Sequence, residues 1–197
     1  MYNNQKYSLI VFLFFLIIFF AKTGFSQYWM HGAGSIVEDE AMSVSKDAAG
    51  NIYTTGYFGG YCEFSDTISF STSGASDIFL MKQNSIGEVQ WVVAAGGFGE
   101  DRGLSIKTDD AGNSYITGFF YGTADFGTQT LISSGGHDIF IAKYNTLGDI
   151  VWLIKAGGSE MDISNNLNLD NNGNVIITGQ FIASAVFGST TITDLPE

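Results

Sequence analysis

Cysteine, proline and positive charge are all scarce in this sequence. A single cysteine, Cys62, cannot build an internal disulfide framework, so the fold has to be held by packing. One proline beside 25 glycines and 15% aromatic residues excludes a disordered chain and describes β-structure with many tight turns. Eight lysines and arginines against 20 acids leave a formal charge of −12, which argues against nucleic acid as a partner and suits solubility. A run long enough to span a bilayer is also missing: the apolar stretch 9–21 holds thirteen residues, where a spanning helix needs about 20.

That short stretch follows Lys6 and leads to Gly24-Phe25-Ser26, with small residues at both specificity positions before a cut. It reads as a signal peptide over residues 1–26 cleaved after Ser26, leaving a mature region 27–197 that is secreted or held at the cell surface; an uncleaved N-terminal anchor, with Lys22 just beyond the run, is the alternative. Removing Lys6 and Lys22 with no acid takes the formal charge from −12 to −14.

The dominant feature of the mature region is a repeat. Trp29, Trp91 and Trp152 stand 62 and 61 residues apart. Each is followed ten residues later by an aspartate (Asp39, Asp101, Asp162), and eight beyond that by another (Asp47, Asp109, Asp170). Asn51, Asn113 and Asn174 follow in DAAGN, DDAGN and DNNGN, each opening a short β-type run closed by Thr-Gly. Phe64, Phe126 and Phe187 come next, and the first two copies continue to DIFLMK and DIFIAK before returning to tryptophan. The copies span about 29–90, 91–151 and, in part, 152–197.

Each copy predicts four short strands, and Asp and Gly stand where tight reversals need a side-chain acceptor and a left-handed residue. A four-stranded sheet cannot bury both faces alone, so neighbouring units have to cover them. The expected fold is therefore an all-β propeller of four-stranded antiparallel blades, incomplete in this chain, with Trp91 and Trp152 as packing residues between blades. Seven such blades would need roughly 430 residues, so closing a ring requires further blades of the same chain or other copies.

The segments Asp47 to Gly56, Asp77 to Lys82 and Gly96-Gly97 to Asp101, with their counterparts Asp109 to Gly118, Asp138 to Lys143 and Gly157-Gly158 to Asp162, resemble the bacterial seven-bladed β-propeller repeat (SBBP) family. The likeness covers most of residues 29–187, and the third copy departs from it at Asn165 and Ile176. It implies an exported or cell-surface propeller, and it carries no catalytic residues to transfer.

Tyr57, Phe58 and Tyr61, with Phe119, Phe120 and Tyr121, follow the Thr-Gly positions and are the candidate ligand-facing aromatics, since a ring can stack on a sugar face; packing at the blade edge is the competing role. Acidic clusters at Glu38-Asp39-Glu40, Glu100-Asp101, Asp109-Asp110 and Glu160 with Asp162 invite calcium, but their spacing matches no calcium loop, so they read as turn caps and no cofactor is assigned. His31 and His137 each stand apart from any nucleophile or second histidine. The expected role is non-catalytic binding of a glycan or protein at the cell surface. An enzyme whose site lies in further blades, and a structural spacer, are the alternatives.

Overall fold

The computed structural model describes residues 33, 34 and 36–193. The expected signal peptide, Trp29 and His31 lie outside the described residues.

Among these residues the chain is all β. The first blade comprises β1 (Glu40–Lys46), β2 (Ile52–Phe58), an inserted hairpin β3 (Tyr61–Ser65) and β4 (Ile68–Ser71), then β5 (Asp77–Gln83) and β6 (Val89–Gly97). β1, β2, β5 and β6 pair in that order, antiparallel throughout. The second blade repeats the path with β7 (Arg102–Thr108), β8 (Ser114–Asp125), β9 (Thr130–Tyr144) and β10 (Ile150–Gly157). A third begins with the pair β11 (Ile163–Leu169) and β12 (Val175–Gln180), followed by the hairpin β13 (Ser184–Phe187) and β14 (Thr190–Thr193). The sheet unit is out of phase with the Trp-to-Trp period: Trp91 and Trp152 lie on the last strand of one blade, and the next blade starts about ten residues later.

Both faces of a blade are buried, as the period-two geometry of β5 shows. Ile78 and Leu80 point into a cluster with Ile106, Ile116, Phe120 and Phe140 of the second blade. Phe79 and Met81 point the other way, where Phe58, Cys62 and Phe64 cover them. Burying each of these large side chains contributes roughly 2–3 kcal/mol.

Polar contacts between the innermost strands add to this packing. The Ser45 hydroxyl lies 2.8 Å from that of Thr108 and accepts from its N–H at 3.1 Å, and the Leu167 N–H donates to the Ser105 hydroxyl at 3.0 Å. Trp91 joins the same junction at the outside: its indole N–H donates to the Thr146 carbonyl at 3.1 Å, and its ring meets Tyr53 edge-on with centroids 6.0 Å apart.

One element was not anticipated from the repeat. The variable stretch between Thr-Gly and D-x-F forms a hairpin, and in each copy it pairs with the strand end of the preceding one: Glu63 with Gly34, Asp125 with Gly96, Val186 with Gly157. The partners are 29 residues apart each time, so this latch is part of the repeat although its sequence is not.

Candidate functional site

In an antiparallel meander the β2–β5 and β6–β7 connections come to one end of the blade, opposite the DAAGN-type turns. That geometry gathers residues far apart in sequence. Glu38 precedes β1, Tyr57 is the penultimate residue of β2, Ser76 precedes β5, Glu100 lies just before β7 and Arg102 opens it. The connection after β6 is fastened to the segment before β5, with Ala75 N–H donating to the Gly99 carbonyl and Asp101 N–H to the Ser76 carbonyl.

Arg102 stands at the centre. Its guanidinium carbon lies 3.9 Å over the Tyr57 ring centroid, and its terminal nitrogen is 2.6 Å from Glu100 and 3.8 Å from Glu38. The second Glu100 oxygen is 3.8 Å from the His137 ring, which meets Phe119 edge-on at 4.8 Å and Tyr121 at 5.5 Å. Between Glu38, Tyr57, Ser76, Glu100 and Arg102 is a cavity of about 210 Å³. The Ser76 hydroxyl and the Arg102 Nε are buried there without hydrogen-bond partners. The walls thus offer donors beside carboxylate acceptors, a set suited to a polar side chain or hydroxyl group. Among the described residues no group of three or more His, Cys, Asp or Glu side chains is arranged to hold a metal ion.

Around this cleft the same end of the molecule exposes large apolar side chains. Phe98 in the β6–β7 connection is 92% exposed, and Val37 before β1, Tyr121 in β8, Met161 between β10 and β11 and Ile182 between β12 and β13 are exposed as well.

The six candidate aromatics divide. Tyr61 and Tyr121 reach solvent, and the Tyr61 hydroxyl donates to Glu63. Phe58 and Phe120 do not face a ligand: they sit in the two core clusters, because a blade covered on both sides leaves no open face for alternate residues. Tyr57 and Phe119 are also buried, roofed by Arg102 and His137.

Asp39, Asp101 and Asp162 tie backbone, and the last two are fully buried. Asp101 accepts from Gly97 N–H at 2.7 Å and from Tyr121 N–H at 3.0 Å. Asp162 does the same with Gly158 and Ile182, and Asp39 accepts from Gly59. Each carboxylate reaches an N–H twenty residues onward, so it spans two loops rather than capping a single turn. Cys62 is buried, and burial pushes its thiol up to about 11.

Arg102 and His137 escaped the sequence reading, which took His137 as isolated. A signal was available: the position of Arg102 holds Glu40 and Ile163 in the other copies, and that of His137 holds Ser76. These changes fall at repeat positions that packing does not dictate.

No family model matches the chain. It is 25% identical over 143 residues to an uncharacterized WD repeat-containing protein of Acanthamoeba polyphaga mimivirus, an alignment covering 61% of this chain. The chain spans about a tenth of that relative's length, 10%. Taken with the latched four-stranded units, that likeness to a WD repeat protein makes this chain an all-β repeat protein of the β-propeller type.

Proposed function

We propose that this chain is a non-catalytic binding module on a β-propeller scaffold, exported through residues 1–26, that engages a protein partner through the Arg102 end of its blades. Membership of the bacterial seven-bladed repeat family fits the motifs and belongs to the same reading. The observation that carries the binding role is the exposed apolar rim, Phe98 foremost, around a cleft walled by Arg102 and Tyr57. Exposed apolar groups with a polar surround mark protein contacts, and aromatic and arginine side chains supply most of the energy there. A glycan would use the cleft and Tyr121 but gain little from Phe98.

The test compares the exported protein with Phe98→Asp, Arg102→Ala and, at the opposite end, Leu147→Asp. The expected result is a protein captured by crosslinking in the native host that Phe98→Asp and Arg102→Ala lose by tenfold or more, about 1.4 kcal/mol, and Leu147→Asp retains. Glycan binding on an array that is lost with Arg102→Ala and kept with Phe98→Asp would replace the protein reading with the glycan one. Equal behaviour of all three variants would remove this end as the site, and a secreted N-terminus other than Gln27 would remove the export step as drawn.

A further inference from the structure

Two pairs of buried aspartates occupy the same place in successive blades. Asp77 and Asp101 are 6% and 0% exposed, and Asp138 and Asp162 are both 0% exposed. Each pair closes around a glycine in a conformation that side-chain-bearing residues rarely adopt, Gly96 at φ 154° and Gly157 at φ 149°. A Cβ on Gly96 would lie 2.6 Å from Asp77 Oδ1 and 2.9 Å from Asp101 Oδ2. On Gly157 it would lie 2.5 Å from Asp138 Oδ1 and 3.0 Å from Asp162 Oδ2. Two carboxyl oxygens therefore converge on one point in each junction, and only the missing side chain leaves room for them.

Their hydrogen bonding is unequal. Asp101 has a backbone N–H on each oxygen, as its ionised or acceptor form requires. Asp77 has one, from Ser73 to Oδ2 at 3.2 Å, while its Oδ1 is buried with no partner. A protonated Asp77 would turn that orphan atom into a donor or free it from carrying charge, which burial alone favours.

The two junctions differ in their cations. In the second, Lys155 stands 3.4 Å from Asp138 Oδ2. The matching residue in the first blade is Ala94. Glu100 adds its charge to that of Asp77 on Asp101, and Arg102, the cation beside Glu100, is spent on Glu100 and Glu38, with His137 on the second Glu100 oxygen.

We propose that Asp77 and Asp101 hold one proton between them through mildly acidic pH, and that its loss near neutrality weakens the junction between the first two blades, whereas in the second junction Lys155 stands as a counter-charge beside Asp138. Two like charges in one low-dielectric pocket cannot both ionise without a counter-charge. Burial, with the charges of Asp77 and Glu100 adding to it, pushes Asp101 up to about 7, and burial pushes Asp77 up to about 6. The sign follows: acids whose folded-state values are raised bind more protons folded than unfolded. Stability they support at low pH is therefore lost as pH rises from the ordinary carboxylate range through about 7. The loop ends tied by Asp101, at Gly97 and Tyr121, are those that frame the Arg102 cleft, although the proposal holds whether or not that cleft binds a partner.

Melting temperature read across about pH 5.5 to 8 tests it, and the expected fall in the unmodified protein is about 5 °C or more. Asp77→Asn, which cannot ionise, is expected to remove at least half of that fall. Ala94→Lys, which copies the second junction, is expected to raise the melting temperature at the upper pH more than at the lower. Carboxyl carbon NMR of the unmodified protein gives a reading independent of any variant, with one of the pair titrating above about pH 6. Both carboxyls titrating below about pH 5, or an unchanged slope in Asp77→Asn, would overturn the proposal. So would a melting temperature at pH 8 restored by calcium chloride in the unmodified protein, since a cation and not a proton would then occupy the pair.

Discussion

Asp47 and its counterpart Asp109 show at the residue scale why the D-x-x-G-N-x-Y pattern recurs. Asp47 accepts from the backbone and side-chain N–H groups of Asn51 at 2.9 and 2.7 Å and from the Tyr53 hydroxyl at 3.2 Å. Gly112, at φ 81°, makes the matching reversal in the second blade, and its carbonyl lies 3.0 Å from the Tyr53 hydroxyl of the first. Tyr53 therefore joins its own turn to the neighbouring blade. Tyr53→Phe takes the hydroxyl from the buried Gly112 carbonyl, while Asp47 Oδ2 keeps its bond from Asn51, and the expected cost is about 1–3 kcal/mol, read as a lowered denaturation midpoint without a changed slope. The motif's residue types were legible in the sequence. The second partner of the hydroxyl was not, because Gly112 is 59 positions away and nothing local points to it.

At the scale of elements, Thr-Gly is explained by the strand it faces. The first strand of each blade carries a bulge, between Ala41 and Ser43, Gly103 and Ser105, and Ser164 and Asn166. The bulge drives a carbonyl onto the second strand, where a Cβ on Gly118 would stand 1.9 Å from the Arg102 carbonyl oxygen. The preceding threonine is held too, with the Thr117 hydroxyl donating to the Phe140 carbonyl at 2.7 Å. Gly118→Ala must break the bulge or the pairing, with an expected loss of about 1–3 kcal/mol or more that thermal unfolding would record. Strand content followed from alternation and turn residues alone. The latch hairpin did not, because its pairing is made by backbone groups to another blade and tolerates varied side chains.

For the whole molecule, two sets of aspartates act in opposite directions with pH. Burial disfavours the ionised form of Asp47 and Asp109, but their hydrogen bonds from Asn51 and Tyr53, and from Asn113 and Tyr115, outweigh it and hold both carboxyls below the ordinary range. Their contribution is present above the ordinary carboxylate value near 3.8 and is lost as pH falls through it. The buried pair Asp77 and Asp101 loses its contribution on the other side, as pH rises through about 6 and about 7. From these two sets the stability curve is therefore expected to fall on both sides of the ordinary carboxylate range, and a melting series from about pH 3 to 8 would show it. A plateau extending through pH 8 would contradict the upper limb.

By itself the sequence determined the repeat, its four strands, its turns and the positions where apolar residues must be covered by a neighbour. These are local properties, set by side-chain alternation and by the few residues that tolerate a tight reversal. Only the tertiary structure decided which aromatics face solvent, since Phe58 and Tyr61 are three residues apart yet one is core and the other exposed. It alone placed Arg102 over Tyr57 and closed Asp77 upon Asp101. Those groupings depend on how adjacent blades stack, and stacking brings together residues that no spacing in a single copy connects.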